Sequence, residues 1–403
     1  MKQHATRKPL PRAIVHNEPT FDRWLIFALV AIVSLGVVMV ASASISIAAR
    51  KHGYEFYYVR RHLISLGIGA VFGYVVYRQG LDWVRRWSGH GLLLAVVLLI
   101  LVLLPGIGHR VNGASRWLAF KGITIQSAEF AKLAMIVYLA GYLVRHQEQV
   151  RHKLRGFFKP LGVLTLLGFL LIQEPDMGTT AVLSAATLGM VLLAGAPIPT
   201  FISIGAVITC VFGALVMLEP YRLARLVSFR DPWQHADGVG YQLAQSLIAF
   251  GRGHWLGVGL GNSVQKLFYL PEVHTDFIFA VIGEELGVAG TLLVIALFLF
   301  LVWRIFRIGA RAEAAGQDFA ANLAYGVALL IGIEAFFNIG VNIGFFPTKG
   351  LTLPFISYGN NSTIIMCLAV ALVFRVAYES RAERPASAPV EGADRPAPEL
   401  AYE

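Results

Sequence analysis

Ten apolar runs constrain this chain more than any other feature. They lie near 24–46, 61–79, 89–105, 128–145, 159–174, 177–197, 199–218, 276–307, 319–345 and 360–378. Each approaches the ~20 residues a helix needs to cross a bilayer. Inside a bilayer, backbone N–H and C=O groups must be paired within the protein, so such runs span as helices. The sequence therefore predicts an all-α polytopic integral membrane protein with about ten transmembrane helices. The first run is too long for the apolar core of a signal peptide, although Ala41-Ser42-Ala43 resembles a cleavage site. Only Gln173-Glu174-Pro175-Asp176 divides the fifth run from the sixth.

Composition and charge agree with a membrane chain. Of the 403 residues, 56% are hydrophobic and 14% charged, against about 25% charged in soluble domains. That excludes a chain disordered throughout. Cys210 and Cys367, the two cysteines, are too few for a disulfide scaffold, and their apolar surroundings read as buried thiols. The net charge of +10 does not point to nucleic acid, because the basic residues are scattered between apolar runs. An even number of spans puts both termini on one side. That side holds 20 lysines and arginines against 13 on the other, with Lys132 inside a span. The excess predicts N- and C-termini in the cytoplasm.

The chain then divides into a basic cytoplasmic tail (1–23), a transmembrane domain (24–378) and a Pro/Ala/Glu-rich cytoplasmic tail (379–403) read as disordered. Within the domain, 219–275 is too long for an ordinary connection. Its helix-like spacing of Tyr241, Leu243, Leu247 and Phe250 predicts an ordered, large extracytoplasmic loop. Its glycines 251, 253, 257, 259 and 261 lack the order of a phosphate-binding loop and read as places of tight turning and close backbone approach. No internal repeat is visible, which disfavours a repeat-built transporter.

Ionisable groups at membrane depth are expensive and point to function or to pairing. Glu129 and Lys132, three apart, share a helix face and read equally as an ion pair or as the charged wall of a cavity. In Tyr269-Leu270-Pro271-Glu272-Val273-His274-Thr275-Asp276, Pro271 suits a helix start and Thr275 an N-cap, which puts Asp276 in the first helical turn. There Asp276 is either a carboxylate favoured by the helix dipole or a general base with a raised pKa, and His274 can tune it or carry a proton. Glu284 and Glu285 point about 100° apart, so at least one packs against a polar partner. Glu334, Asn338 and Asn342 form an i, i+4, i+8 stripe that either glues helices or lines a cavity. The stretch from Pro347 to Gly359 is too punctuated by Gly and Pro to span, and reads as re-entrant or superficial.

Taken in order, several motifs closely resemble the SEDS family (shape, elongation, division, sporulation) of bacterial cell-wall polymerases. They are Asn112-Gly113-Ala114-Ser115-Arg116-Trp117, Gln173-Glu174-Pro175-Asp176, Tyr221-Arg222 through Asp231-Pro232-Trp233, Gly240-Tyr241-Gln242…Gln245-Ser246, Leu270 through Phe279, and Lys349 through Gly359. The resemblance runs from about 24 to 378 and leans towards the division member, with the elongation paralogue sharing most motifs. It implies a glycosyltransferase that polymerises lipid II, an undecaprenyl-pyrophosphate-linked disaccharide pentapeptide, at the outer face of the bacterial inner membrane, for septal wall synthesis. It implies a class B penicillin-binding protein and other division-complex membrane proteins as partners. The family's essential aspartate maps onto Asp276, and its cavity arginine, glutamate and lysine map onto Arg116, Glu129 and Lys132. Glycosyl transfer from a pyrophosphate needs a base on the acceptor hydroxyl and positive charge on the leaving group. Asp276 suits the first role; Arg116, Lys132 and Lys349 suit the second. A divalent cation, Mg or Mn, can share that task, though no ligand set demands one. The family usually reads Ser-Tyr-Gly-Gly-Ser-Ser where this chain has Asn360-Asn361 after Gly359, and a left-handed turn on asparagine would preserve the bend. A flippase for the same lipid would use similar charges, but nearer the membrane midplane.

Overall fold

The computed structural model describes residues 22–111, 114–120, 123–153 and 155–382. The readings of the two tails lie almost wholly outside these residues, as do Asn112 and Gly113. All ten predicted runs form helices. Nine of them, among the described residues, are long and apolar enough to cross a membrane, and Met177–Leu193 is a shorter apolar helix. In chain order the helices are α1 (Arg23–His52), α2 (Tyr57–Gln79), α3 (Leu81–Leu103), α4 (Ser127–Arg145), α5 (Gln147–His152), α6 (Arg155–Gln173), α7 (Met177–Leu193), α8 (Ile198–Met217), α9 (Pro220–Arg230), α10 (Tyr241–Gly253), α11 (Ile278–Ala314), α12 (Asp318–Asn342) and α13 (Asn360–Ala382).

One element escaped the sequence reading. Between α3 and α4 lies a three-stranded antiparallel sheet of β1 (Gly108–Val111), β2 (Ala114–Phe120) and β3 (Ile123–Gln126). Its outer strands have four residues each, too few for an alternating pattern to declare itself. In register, Trp117 opposes His109 on one side and Gln126 on the other, which fixes Arg116 beside it on the central strand.

Helix α12 is the centre of the bundle, packed against α11, α4, α7, α13 and α10. The interior is small and apolar, with Ala320, Ala324, Val327, Ala328 and Ile331 of α12 buried. Small residues let helix backbones approach closely where no hydrophobic effect drives them together. Outward faces stay apolar, as a bilayer requires. Helix α8 buries no residue at all, and Cys210 on it is exposed, contrary to the buried thiol expected there.

Two polar knots close the bundle. At the start of α1, the Asp22 carboxylate caps the helix by accepting from Leu25 N–H and takes hydrogen bonds from Arg304 and Arg311 of α11 and Arg381 of α13. Burial raises its pKa, but these donors outweigh burial and hold the carboxyl at about 2. At the other end, Glu284 and Glu285 each have partners. Glu284 bonds Arg252, Ser263 Oγ and the N–H groups of Val264 and Gln265, while Glu285 bonds Ser42, Ser263 N–H and Lys266. Both glutamates are structural, and they clamp 252–266 onto α11.

That clamp explains the glycines. A side chain on Gly253 would lie 1.9 Å from the Gly283 carbonyl, and one on Gly257 2.1 Å from the Glu285 carbonyl. Gly287 breaks α11 with φ +67°, a conformation that costs glycine little. The long 219–275 segment is ordered, as its spacing implied, and contributes α9 and α10.

Candidate active site: a cation-lined pocket around Asp276

Asp276 does not sit inside a helix. Helix α11 starts at Ile278 with Phe277 as its N-cap, and the preceding residues turn tightly, with Thr275 and Phe277 N–H groups donating to the Glu272 carbonyl. Thr275 is therefore not the cap; its hydroxyl donates to Glu272 instead. The Asp276 backbone is fixed from α12. Asn338 and Asn342 both donate to its carbonyl, at 2.9 and 3.0 Å, and Asn342 Oδ1 accepts from Ala280 N–H at 3.1 Å. Asn338 also donates to the Leu351 carbonyl at 2.5 Å. The polar stripe of α12 thus glues two loops rather than lining a cavity.

The Asp276 carboxylate is left free of these bonds. It faces a pocket of 330 Å³, along with Arg116, Trp117, Arg222, Arg225, Gln242 and Lys349. Five elements supply them. Arg116 comes from β2 and is steadied by the carbonyls of Glu174 and Pro175, at 3.2 and 2.6 Å. Arg222 and Arg225 come from α9. Arg225 donates Nη1 to the Thr348 carbonyl at 3.1 Å and lies over the Tyr221 ring, while its buried Nε has no partner among the described residues. Lys349 comes from the loop after α12, whose neighbouring Gly350 brings backbone close to Asp276: a Cβ there would be 3.1 Å from Asp276 Oδ2. Asp176 also borders the pocket, but its oxygens cap α7 through Thr179 N–H and Oγ1.

Electrostatics follow from this enclosure. Burial, with the Glu272 carboxylate adding, pushes Asp276 up to about 7 against the pull of Arg116 and Arg225. Burial and the like charges of Arg225 and Arg222 bring Lys349 down to about 8. A carboxylate near 7 beside an ammonium near 8 can hold both charges at neutral pH while remaining ready to accept a proton.

The remaining predicted site residues lie elsewhere. His274 packs between the rings of Tyr58 and Tyr358, and burial lowers its pKa to about 4, so it is a neutral ring. Glu129 and Lys132 are buried outside the pocket lining, in a triad whose third member lies far along the chain. Lys132 Nζ donates to Glu129 at 2.9 Å and also to Glu334 of α12. Arg222 and Arg225 are the residues sequence reading missed. Their i, i+3 spacing on an amphipathic segment is the available signal, and Arg222 lies in one of the family motifs. Asn360 and Asn361 form no left-handed turn. They open α13, with Asn360 bonded to Ser65 and Tyr358, and Asn361 to the Thr124 carbonyl of β3.

Fold and pocket together define a polytopic helical membrane protein with a cation-lined pocket near one end of its bundle, and with a carboxylate set among the cations. The comparisons give this class a family. The chain belongs to the cell cycle protein family FTSW_RODA_SPOVE, whose model matches residues 23–382. It is 50% identical over 370 residues to the probable peptidoglycan glycosyltransferase FtsW of Nitrosococcus halophilus, covering 92% of this chain and 95% of that one. It is 48% identical to the protein of the same name from Coxiella burnetii, covering 90% and 97%. Among solved structures, the fold matches a chain of a peptidoglycan synthase complex that coordinates polymerization and crosslinking. The TM-score is 0.75 at 24% identity, covering 90% of this chain and 98% of that one. It also matches the rod shape determining protein RodA of Thermus thermophilus, with a TM-score of 0.65 at 24% identity and coverage of 90% and 98%.

Proposed function

We propose that the chain is a multi-pass inner-membrane peptidoglycan glycosyltransferase that polymerises lipid II, with Asp276 as the general base. The observation that carries this reading is a single unpaired carboxylate facing a pocket whose other charged walls are mostly cationic. Asp276 takes the proton from the acceptor sugar hydroxyl as its oxygen attacks C1 of the donor. The C1–O bond to pyrophosphate breaks, and the electron pair leaves with the polyprenyl pyrophosphate. Arg116, Arg222, Arg225 and Lys349 offset the charge that grows on that leaving group. Arg225, with an N–H unmatched among the described residues, is the donor best prepared for a phosphate oxygen.

The excess of basic residues on the side of the termini supports cytoplasmic tails and a pocket opening on the outer face. Relatives named FtsW support the division branch, hence septal placement and division-complex partners. A class B penicillin-binding protein would crosslink the strands made here. A Mg or Mn ion would meet the phosphates rather than a protein cage, since no three His, Cys, Asp or Glu side chains group together among the described residues.

The test is polymerisation of labelled lipid II by the purified protein, alone and with a class B partner, beside Asp276→Asn. Glycan ladders from the wild type and none from the variant are expected. A variant as active as wild type would remove Asp276 as base. Lipid II translocation without any glycan would turn the assignment towards a flippase.

A further inference from the structure

A second cavity, 600 Å³ in volume, lies on the bilayer-facing side of α1, α2 and α13, apart from the Asp276 pocket. Its depth comes from two glycines. A Cβ on Gly69 would lie 2.8 Å from Cys367 Cβ, and one on Gly73 3.2 Å from Ala371 Cβ, so α2 lies directly on α13 and leaves a furrow beside the contact. The walls are aliphatic, including Val30, Val33, Ala70 and Val370. Phe355 closes one end, its carbonyl set against Gly36 near the middle of α1. From there the furrow runs to Tyr77 and Phe374, towards the end of the bundle that carries the N-terminus.

Its length is informative. Leu66 and Tyr77, at its two ends on α2, are separated by ~16 Å at 1.5 Å per residue. That is about half of a ~30 Å hydrocarbon core, the depth of one leaflet. A spanning helix of a partner needs the full thickness, whereas an acyl chain needs half. The mouth is also charged. Arg78 is exposed one turn beyond Tyr74 and donates to its hydroxyl at 3.1 Å. Arg23 is exposed one turn before Ile26. Arg375 follows Phe374 and is paired with Glu379. Asp22, next to Arg23, is engaged with Arg304, Arg311 and Arg381.

We propose that this furrow is a binding site for an anionic glycerophospholipid of the leaflet on the N-terminal side. One acyl chain lies along Val33, Ala70 and Val370 and ends against Phe355. The phosphate sits between Arg23 and Arg78, the arrangement by which basic residues at helix ends select anionic headgroups. Because Phe355 belongs to the loop that carries Lys349, a filled furrow supports the back of that loop.

The experiment is native mass spectrometry of the full chain released from vesicles of equal phosphatidylglycerol and phosphatidylcholine. One retained phosphatidylglycerol per chain is expected, preferred by roughly 10-fold. Arg23→Gln/Arg78→Gln should lose the preference but keep a lipid, and Ala70→Trp, which fills the furrow from its exposed side, should lose the lipid. Equal retention of both lipids by the wild type, or undiminished retention by Ala70→Trp, would overturn the proposal. A second readout does not depend on that variant folding. With Cys210→Ser, Cys367 is the sole thiol and lines the furrow. Phosphatidylglycerol should slow its reaction with a bilayer-soluble maleimide several-fold more than phosphatidylcholine does; equal rates would also overturn it, and a co-purifying protein helix that protects Cys367 would replace the lipid as occupant.

Discussion

Two carboxylates lie against α12 and are treated in opposite ways. Glu334 is buried and held by Lys132, which also holds Glu129. Asp276, in the turn before α11, has its backbone carbonyl held by Asn338 and Asn342 one and two turns beyond Glu334 on α12, while no hydrogen bond from the described residues reaches its carboxylate. The triad ties its two carboxylates to one ammonium through one oxygen each; the pocket leaves the Asp276 carboxylate untied. Neutral amides are the suitable tool for the second task, because they fix the position of Asp276 without neutralising it. One helix can therefore carry a structural ion pair and also position a reactive group, the two distinguished by what is bonded rather than by how deeply each lies.

Exchanging the two treatments gives the sharpest tests. Asp276→Asn should lower polymerisation by roughly 10²–10⁴-fold, the usual range for losing a general base, with an unchanged melting temperature. Lys132→Ala should do the reverse in kind. It leaves two carboxylates buried without their cation, which costs about 3–5 kcal/mol and is read as a fall in thermal stability in detergent. Adding Glu129→Gln and Glu334→Gln should recover much of that loss. A Lys132→Ala protein of normal stability but no activity would break the comparison and move the triad into the site.

Smaller effects probe the join between the two regions. Asn342→Ala strands the Ala280 N–H and removes one donor to Asp276, an expected cost of about 1–3 kcal/mol. With Asp276 less firmly placed, kcat should fall more than KM rises; an unchanged kcat would reduce Asn342 to packing. Last comes pH. Activity needs Asp276 ionised and Lys349 protonated, so the rate should rise through about 7 and fall through about 8. Lys349→Arg should shift only the alkaline limb upward, because guanidinium stays protonated. An unmoved alkaline limb would assign it to another group.

Much of this molecule was legible in its sequence because a bilayer leaves few choices. Ten apolar runs could only be helices, and the Asp276, Arg116 and Lys349 motifs pointed to one end of the bundle. What stayed hidden depended on distance in space. Nothing local announces that Glu334 completes a pair 202 residues earlier. Thr275 and Pro271 carry ordinary start signals for α11, yet local bonds to Glu272 and tertiary bonds from Asn338 and Asn342 hold that segment in turns. His274 was drawn to Asp276 by adjacency in sequence, whereas its ring turns to Tyr58 and Tyr358.

The Asp22 knot carries a consequence for how the protein is made. Its carboxylate lies at the start of α1, and one of its donors, Arg381, is 359 residues further on. Until α13 has been synthesised and inserted, the first helix lacks that clasp, and α2 lacks the helix on which its glycines rest. The bundle therefore closes only once α13 is in place. Helix α13 acts as a keystone, and a nascent chain cut short before it would remain an open, unlocked array in the bilayer, exposed to membrane quality control.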